Sequence, residues 1–281
     1  MKAGFWVAPE DAEDTMTILP IGVEEEARKS ISLLATGEGE ALAKACPRVR
    51  DMLPKIVAAL ESQRAHAQGQ LFDLTEFSDD EKRLISGAIG EGEVGGLAAT
   101  PDGVVAQIQE AVMAGLWRVR FTDADGKLFA DYLEVSSLPE IARRAALANC
   151  RPLKIGAPPE GVMNVMPLLQ EISARAEAWK EGDPTHTITF SLLPMNAADM
   201  DFLQKTLGPG SVKLVSKGYG ACRVHSTGVK HVWSVQYFNA SDEVVLDTLE
   251  IGAPPPAACA ADEDFEDSAH RLREIEEAYF S

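Results

Sequence analysis

The stretch Thr187–Ile251 reads TITFSLLPMNAADMDFLQKTLGPGSVKLVSKGYGACRVHSTGVKHVWSVQYFNASDEVVLDTLEI, and it has a counterpart earlier in the same chain. Moved back by 118 residues, Leu203, Leu207, Gly208, Gly210 and Val212 fall on Ile85, Ile89, Gly90, Gly92 and Val94. Moved back by 116, Trp233, Val235 and Tyr237 fall on Trp117, Val119 and Phe121, while Asp247, Leu249 and Glu250 fall on Asp131, Leu133 and Glu134. The change of offset puts a two-residue length difference in the strand-and-turn region between. A long period present twice marks a duplicated domain rather than a solenoid.

Each copy reads as a helix followed by an antiparallel meander. In the earlier copy Ser78-Asp79-Asp80-Glu81 is a capping box, Leu84, Ile85, Ala88 and Ile89 make one apolar face, and Gly90 stops the helix. Trp117, Val119 and Phe121 alternate with Arg118 and Arg120 along one strand, Asp125-Gly126 is a hairpin turn, and Leu128–Val135 is the returning strand. The later copy repeats the order: strand Thr187–Leu192, Asn196 as N-cap, helix to Leu207, Gly208 as stop. Strands follow at Val212–Val215, Ala221–His225, Val232–Phe238 and Val244–Ile251.

Around the copies lie an acidic lead-in (1–30) with an apolar Thr17–Ile21, a short helical pattern broken by Gly37 and Gly39, and an amphipathic helix over Arg48–Gln68. Pro54 is expected near the start of that helix or at a kink in it. Helices are also expected from Pro139 to Ala148 and from Val162 to Trp179, the latter bridging the copies. Pro254–Pro256 form a stiff spacer before a closing helix, Asp262–Tyr279. The expected architecture is α+β: two tandem homologous repeats related by approximate twofold symmetry. The corresponding divisions are 1–69, 70–150, 151–186 and 187–281.

The 281 residues are 46% hydrophobic, enough for one large core or two medium ones. A net charge of -18 argues against nucleic acid or an anionic membrane as partner. Cys46, Cys150, Cys222 and Cys259 lie far apart, as reduced thiols do in a cytoplasm. With neither an export signal nor a run of roughly 18 apolar residues, the chain is expected to be soluble and cytoplasmic.

Ser216–Arg223, SKGYGACR, is the first candidate site. Cys222 there reads either as a nucleophile or metal ligand activated by Arg223, or as a small apolar filler on an inward strand face with Arg223 turned to solvent. His225 and His231 flank the turn STGVK and are expected to sit opposite each other in a hairpin. With Cys222 they would make a Cys/His/His set, but along a regular strand Cys222 and His225 face opposite ways. Asp131/Glu134 and Asp247/Glu250 diverge along their strands, so neither pair is a converging acid–base dyad, and Arg118 and Arg120 suit cross-strand ion pairs in the earlier copy. Trp117 and Trp233 read as core. GEGEVGG and GYGAC fit neither a phosphate loop nor a dinucleotide fingerprint, and no cofactor is implied.

The second copy resembles the HupH/HyaF family of hydrogenase expression proteins. Its matching stretches are Thr187–Pro194, Leu207–Gly210, Ser216–Arg223, Val232–Asn239, Asp247–Glu250 and Glu266–Leu272. Val162–Leu169, Gly90–Val94 and Gly115–Arg120 also match. Lys217 and Ala221 depart from the family pattern, which has Arg and Asn there. The resemblance, over roughly residues 70–281, implies a non-enzymatic accessory protein of uptake [NiFe]-hydrogenase assembly, acting in the cytoplasm on a hydrogenase structural subunit, the iron–sulfur small subunit first. Tyr219, Cys222 and Arg223 become candidate partner contacts. The alternative is a thiol or metal carrier in which Cys222, with His225 or His231, transiently holds iron, nickel or a cluster.

Overall fold

The computed structural model describes residues 37–217 and 221–280; the acidic lead-in with Thr17–Ile21, and Tyr219, lie outside the described residues. The fold is α+β, and the chain divides into two compact units. One holds the described residues up to Gly95, Gly103–Glu140 and Cys259 onward; the other holds Gly96–Asp102 and Ile141–Ala258.

The first unit opens with α1 (Gly37–Ala45) and α2 (Pro47–Ser62). Gly37 and Gly39 do not break α1 but lie in its first turn, where backbone amides lack intrahelical partners and glycine costs least. Pro47 begins α2 and Pro54 sits inside it, while Val49, Leu53, Ile56, Val57 and Leu60 form its buried stripe. The helix stops at Ser62, short of Gln68, because the buried Gln63 turns its amide onto the carbonyls of Arg64, Ala67 and Gln68.

In α3 (Asp79–Ile89) the expected capping box is present: Glu81 N donates to Ser78 Oγ at 3.3 Å and Ser78 N to Glu81 Oε2 at 2.8 Å. β1 (Gln70–Asp73) pairs antiparallel with β5 (Leu128–Val135). β5 pairs with β4 (Leu116–Thr122), and β4 with β3 (Val105–Glu110). The closing helix of the chain, α7 (Asp262–Tyr279), lies along α2 in this unit and buries Phe265, Ala269 and Leu272 in its core. Phe265 and Leu272 each contribute on the order of 2 kcal/mol.

β2 (Val94–Ala99) leads into the second unit, where Gly96 lies against the Lys213 carbonyl so closely that a Cβ would be 2.1 Å from it. The strands β7 (Pro209–Ser216), β8 (Cys222–Thr227), β9 (Val232–Phe238), β10 (Val244–Ile251) and β6 (His186–Thr189) pair antiparallel in that order. The strand expected over Thr187–Leu192 ends at Thr189. Phe190–Leu192 form a 3-10 turn that carries Phe190 into the core. α4 (Glu140–Ala148) buries Ala142, Ala145 and Ala146, and α5 (Val165–Ala178) packs with α6 (Ala197–Leu207).

Asp199 fixes the start of both α5 and α6. Its Oδ1 accepts from the amides of Met163 (2.8 Å), Asn164 (2.9 Å) and Val165 (3.2 Å), and its Oδ2 from Asn196 N (3.1 Å). Burial alone would raise this carboxyl, but the backbone donors outweigh it and hold the group below its ordinary value.

Strand registers recur between the units. Trp117 pairs with Glu134 as Trp233 pairs with Glu250, Arg120 with Asp131 as Gln236 with Asp247, and Phe72 with Leu133 as Ile188 with Leu249. Both tryptophans are buried, and Trp117 Nε1 donates to the Ser136 carbonyl at 2.8 Å.

Candidate functional site

β8 alternates as a strand with one buried face should. Cys222 and Val224 are buried, while Arg223 is exposed. Cys222 pairs across to Tyr237 on β9 and Ser216 on β7. Burial first, then the Glu250 carboxylate, push its thiol up to about 11, against a lowering hydrogen bond with Tyr237. At neutral pH the group is a thiol, not the thiolate that attacks or ligates. Arg223 lays its guanidinium over the Phe238 ring, 4.4 Å from the centroid.

His225 and His231 do not sit opposite each other, contrary to the sequence expectation. His225 pairs with Ser234, because the turn runs through His231, which takes a left-handed φ of 63° and leaves β9 to begin at Val232. The His231 ring instead packs against Trp179, with centroids 4.5 Å apart. Burial and then Lys230 lower the His231 pKa, favouring the neutral ring. Among the described residues no group of three or more His, Cys, Asp or Glu is placed to hold a metal ion.

What gathers around His231 is a groove. Two cavities of about 550 and 450 Å³ share Leu147, Trp179, Val229 and His231. The larger extends over Cys150–Leu153 and α5; the other reaches Trp233 and Pro254. Its shape follows from local bonding. Trp179 ends α5 and donates from Nε1 to the Asp183 carbonyl at 3.2 Å, while Asp183 Oδ2 accepts from Lys180 N at 2.9 Å. Thr227 Oγ1 accepts from Val229 N at 3.1 Å and donates to the Val232 carbonyl at 2.9 Å, setting the β8–β9 turn. Arg151 N donates to the Gly228 carbonyl at 2.9 Å, which seats the 150–153 segment beside that turn.

Arg143, Arg151 and Lys230 line the groove together with Glu177, Glu181 and Asp183. An apolar, aromatic floor with charges of both signs suits the side chains of a polypeptide. Sequence reasoning missed Trp179 and Leu147. The available signal was a tryptophan at the end of an amphipathic helix, followed by the turn residues of KEGDP; only the structure shows that Leu147 in α4 stays 43% exposed.

The β3–β4 turn in the first unit, by contrast, is filled. Gly115, 116 residues before His231, also has a left-handed φ of 81°, and a Cβ there would lie 2.4 Å from the Phe265 ring of α7. Both turns thus carry a left-handed residue ahead of the returning strand but receive different covers.

The family model described as "HupH hydrogenase expression protein, C-terminal conserved region" matches residues 48–148 and 162–279. "Hydrogenase expression/formation protein HupH" of Rhizobium leguminosarum bv. viciae is 53% identical over 281 residues, covering 100% of each chain. "Hydrogenase expression/formation protein HoxQ" of Azotobacter vinelandii is 40% identical over 81% of this chain and 80% of its own. "Hydrogenase-1 operon protein HyaF" of Escherichia coli (strain K12) is 33% identical over 95% of this chain and 92% of its own.

Proposed function

The chain belongs to the HupH/HyaF family of hydrogenase expression/formation proteins, and from that premise we propose that it assists maturation of an uptake [NiFe]-hydrogenase without catalysing a reaction. The observation that carries this reading is the full-length alignment, at 53% identity, with a protein named for hydrogenase expression and formation. In this reading the chain acts in the cytoplasm and binds a hydrogenase structural subunit, the iron–sulfur small subunit first, shielding it until assembly proceeds. Among the described residues no helix is long and apolar enough to cross a membrane, which is compatible with that place of action.

The groove around Trp179 and His231 is the proposed grip, with Arg223 and Tyr219 as further contacts. Cys222 contributes by packing, since burial keeps its thiol protonated. That same protonation disfavours a thiol or metal carrier built on Cys222. The matching strand registers support reading the two units as copies of one duplicated α+β module, related by an approximate twofold.

The test is affinity capture of the tagged chain from cells making the hydrogenase, paired with a deletion strain. Recovery of a hydrogenase structural subunit, with impaired maturation in the deletion strain, is expected. Recovery of no hydrogenase polypeptide, together with normal maturation, overturns the proposal.

A further inference from the structure

The β3–β4 turn of the first unit, residues 110–115, is the seat of α7. Phe265 presses on Gly115, Ser268 Oγ donates to the Ala114 carbonyl at 2.9 Å, and Arg271 Nη1 donates to the Val112 carbonyl at 2.9 Å. Backbone bonds close the turn, Ala111 N to the Leu116 carbonyl at 2.8 Å and Leu116 N to the Met113 carbonyl at 3.1 Å, and one buried side chain adds to them. Glu110 Oε1 accepts from Gly115 N at 3.2 Å, and only 8% of the residue is exposed. In the second unit the equivalent position is Ser226, paired with Trp233 as Glu110 is with Trp117. Ser226 Oγ accepts from Val212 N at 3.0 Å, a neutral group serving where the first unit has an ionisable one. A buried carboxylate is far costlier than a buried hydroxyl unless a cation answers it.

The surroundings of Glu110 are mainly acidic. Asp264 of α7 and Glu93 ahead of β2 both act on it as like charges. Arg118 and Arg120 of β4 and Glu91 border a small cavity of about 40 Å³ that Glu110 also lines. Arg118, however, is committed to Asp131.

We propose that Glu110 is a proton-dependent clasp: protonated, it lies uncharged and buried under the 110–115 turn on which α7 sits; ionised, its buried charge, repelled by Asp264 and Glu93, loosens that helix. Burial first, with these like charges and against the Gly115 and Val94 amides that donate to the carboxylate, brings the carboxyl up to about 7 from its ordinary 4.5, so the clasp responds near neutrality. A raised folded-state value means that the stabilisation is complete below about pH 4.5 and is lost as pH rises through about 7.

Hydrogen exchange of the α7 amides in the full chain, corrected for intrinsic rates, tests the clasp. Between about pH 6 and about pH 8 the opening equilibrium of α7 is expected to rise roughly tenfold if opening frees Glu110. Glu110→Gln is expected to abolish that rise, and Glu110→Ser, which copies Ser226, to do the same should the glutamine variant not fold. Asp264→Asn, with Glu110 intact, is expected to move the transition to lower pH. Unchanged α7 opening across this range in the unmodified chain overturns the clasp, and so does a folded Glu110→Gln variant that keeps the full rise.

Discussion

Arg118 grips Asp131 across β4 and β5 through two parallel bonds, Nε to Oδ1 at 3.0 Å and Nη2 to Oδ2 at 2.8 Å. The Asp131 side chain is 2% exposed and that of Arg118 16%, so the pair is largely removed from water. Breaking such a pair from one side strands a charge. Asp131→Ala is therefore expected to lower unfolding stability by about 3 kcal/mol, whereas replacing both partners with apolar residues of similar size restores most of it. Urea denaturation followed by tryptophan fluorescence measures both.

Asp199 carries the opposite pH signature to Glu110. Its carboxyl is held below the ordinary 3.8 by backbone donors that outweigh its burial, so its stabilisation is present above that value and disappears as pH falls through the lowered folded-state value. Asp199→Ala leaves buried amides at the starts of α5 and α6 without their acceptor and is expected to cost about 3 kcal/mol at neutral pH. The variant should also lose less further stability than the unmodified chain between about pH 5 and about pH 3. Denaturation midpoints across that range decide it. An equal acid loss in both chains contradicts the assignment.

Cys222 is expected to resist alkylation in the native protein. It is buried with its thiol raised to about 11, while Cys150 and Cys259 are only half-buried. Mass spectrometry after brief treatment with iodoacetamide at neutral pH should find Cys150 or Cys259 labelled first. Cys222→Ala should leave capture of the hydrogenase subunit unchanged, and loss of capture in a folded variant would restore Cys222 as a direct contact.

Much of this architecture is legible in the residues themselves, for local physical reasons. Ser78 and Glu81 announce α3 because the reciprocal bonds need only a hydroxyl and a carboxylate three positions apart. β5, β9 and β10 begin and end where their apolar alternation does, and the closing helix spans Asp262–Tyr279 as its pattern predicts. What sequence patterning lacks is the identity of the covering element. The apolar stripe through Phe265 and Leu272 says that α7 buries one face, but not that α2 and the 110–115 turn lie beneath it. The same limit hid the groove, whose walls come from Leu147, Trp179 and His231 on three separate segments. The histidine pairing failed on a single backbone angle, since a left-handed His231 falls inside the turn, which spans residues 228–231, and the register sets Ser234 against His225. Glu110 was silent because one acidic residue on a strand gives no hint that it will be buried.

The central claim is that this chain grips a hydrogenase polypeptide through the Trp179 groove, and calorimetric titration with purified small subunit measures that grip directly. Saturable binding is expected, weakened at least about tenfold by Trp179→Ala while the circular dichroism spectrum stays unchanged. Absence of binding to either hydrogenase structural subunit by the unmodified chain would contradict the account, as would full affinity in the folded Trp179→Ala variant.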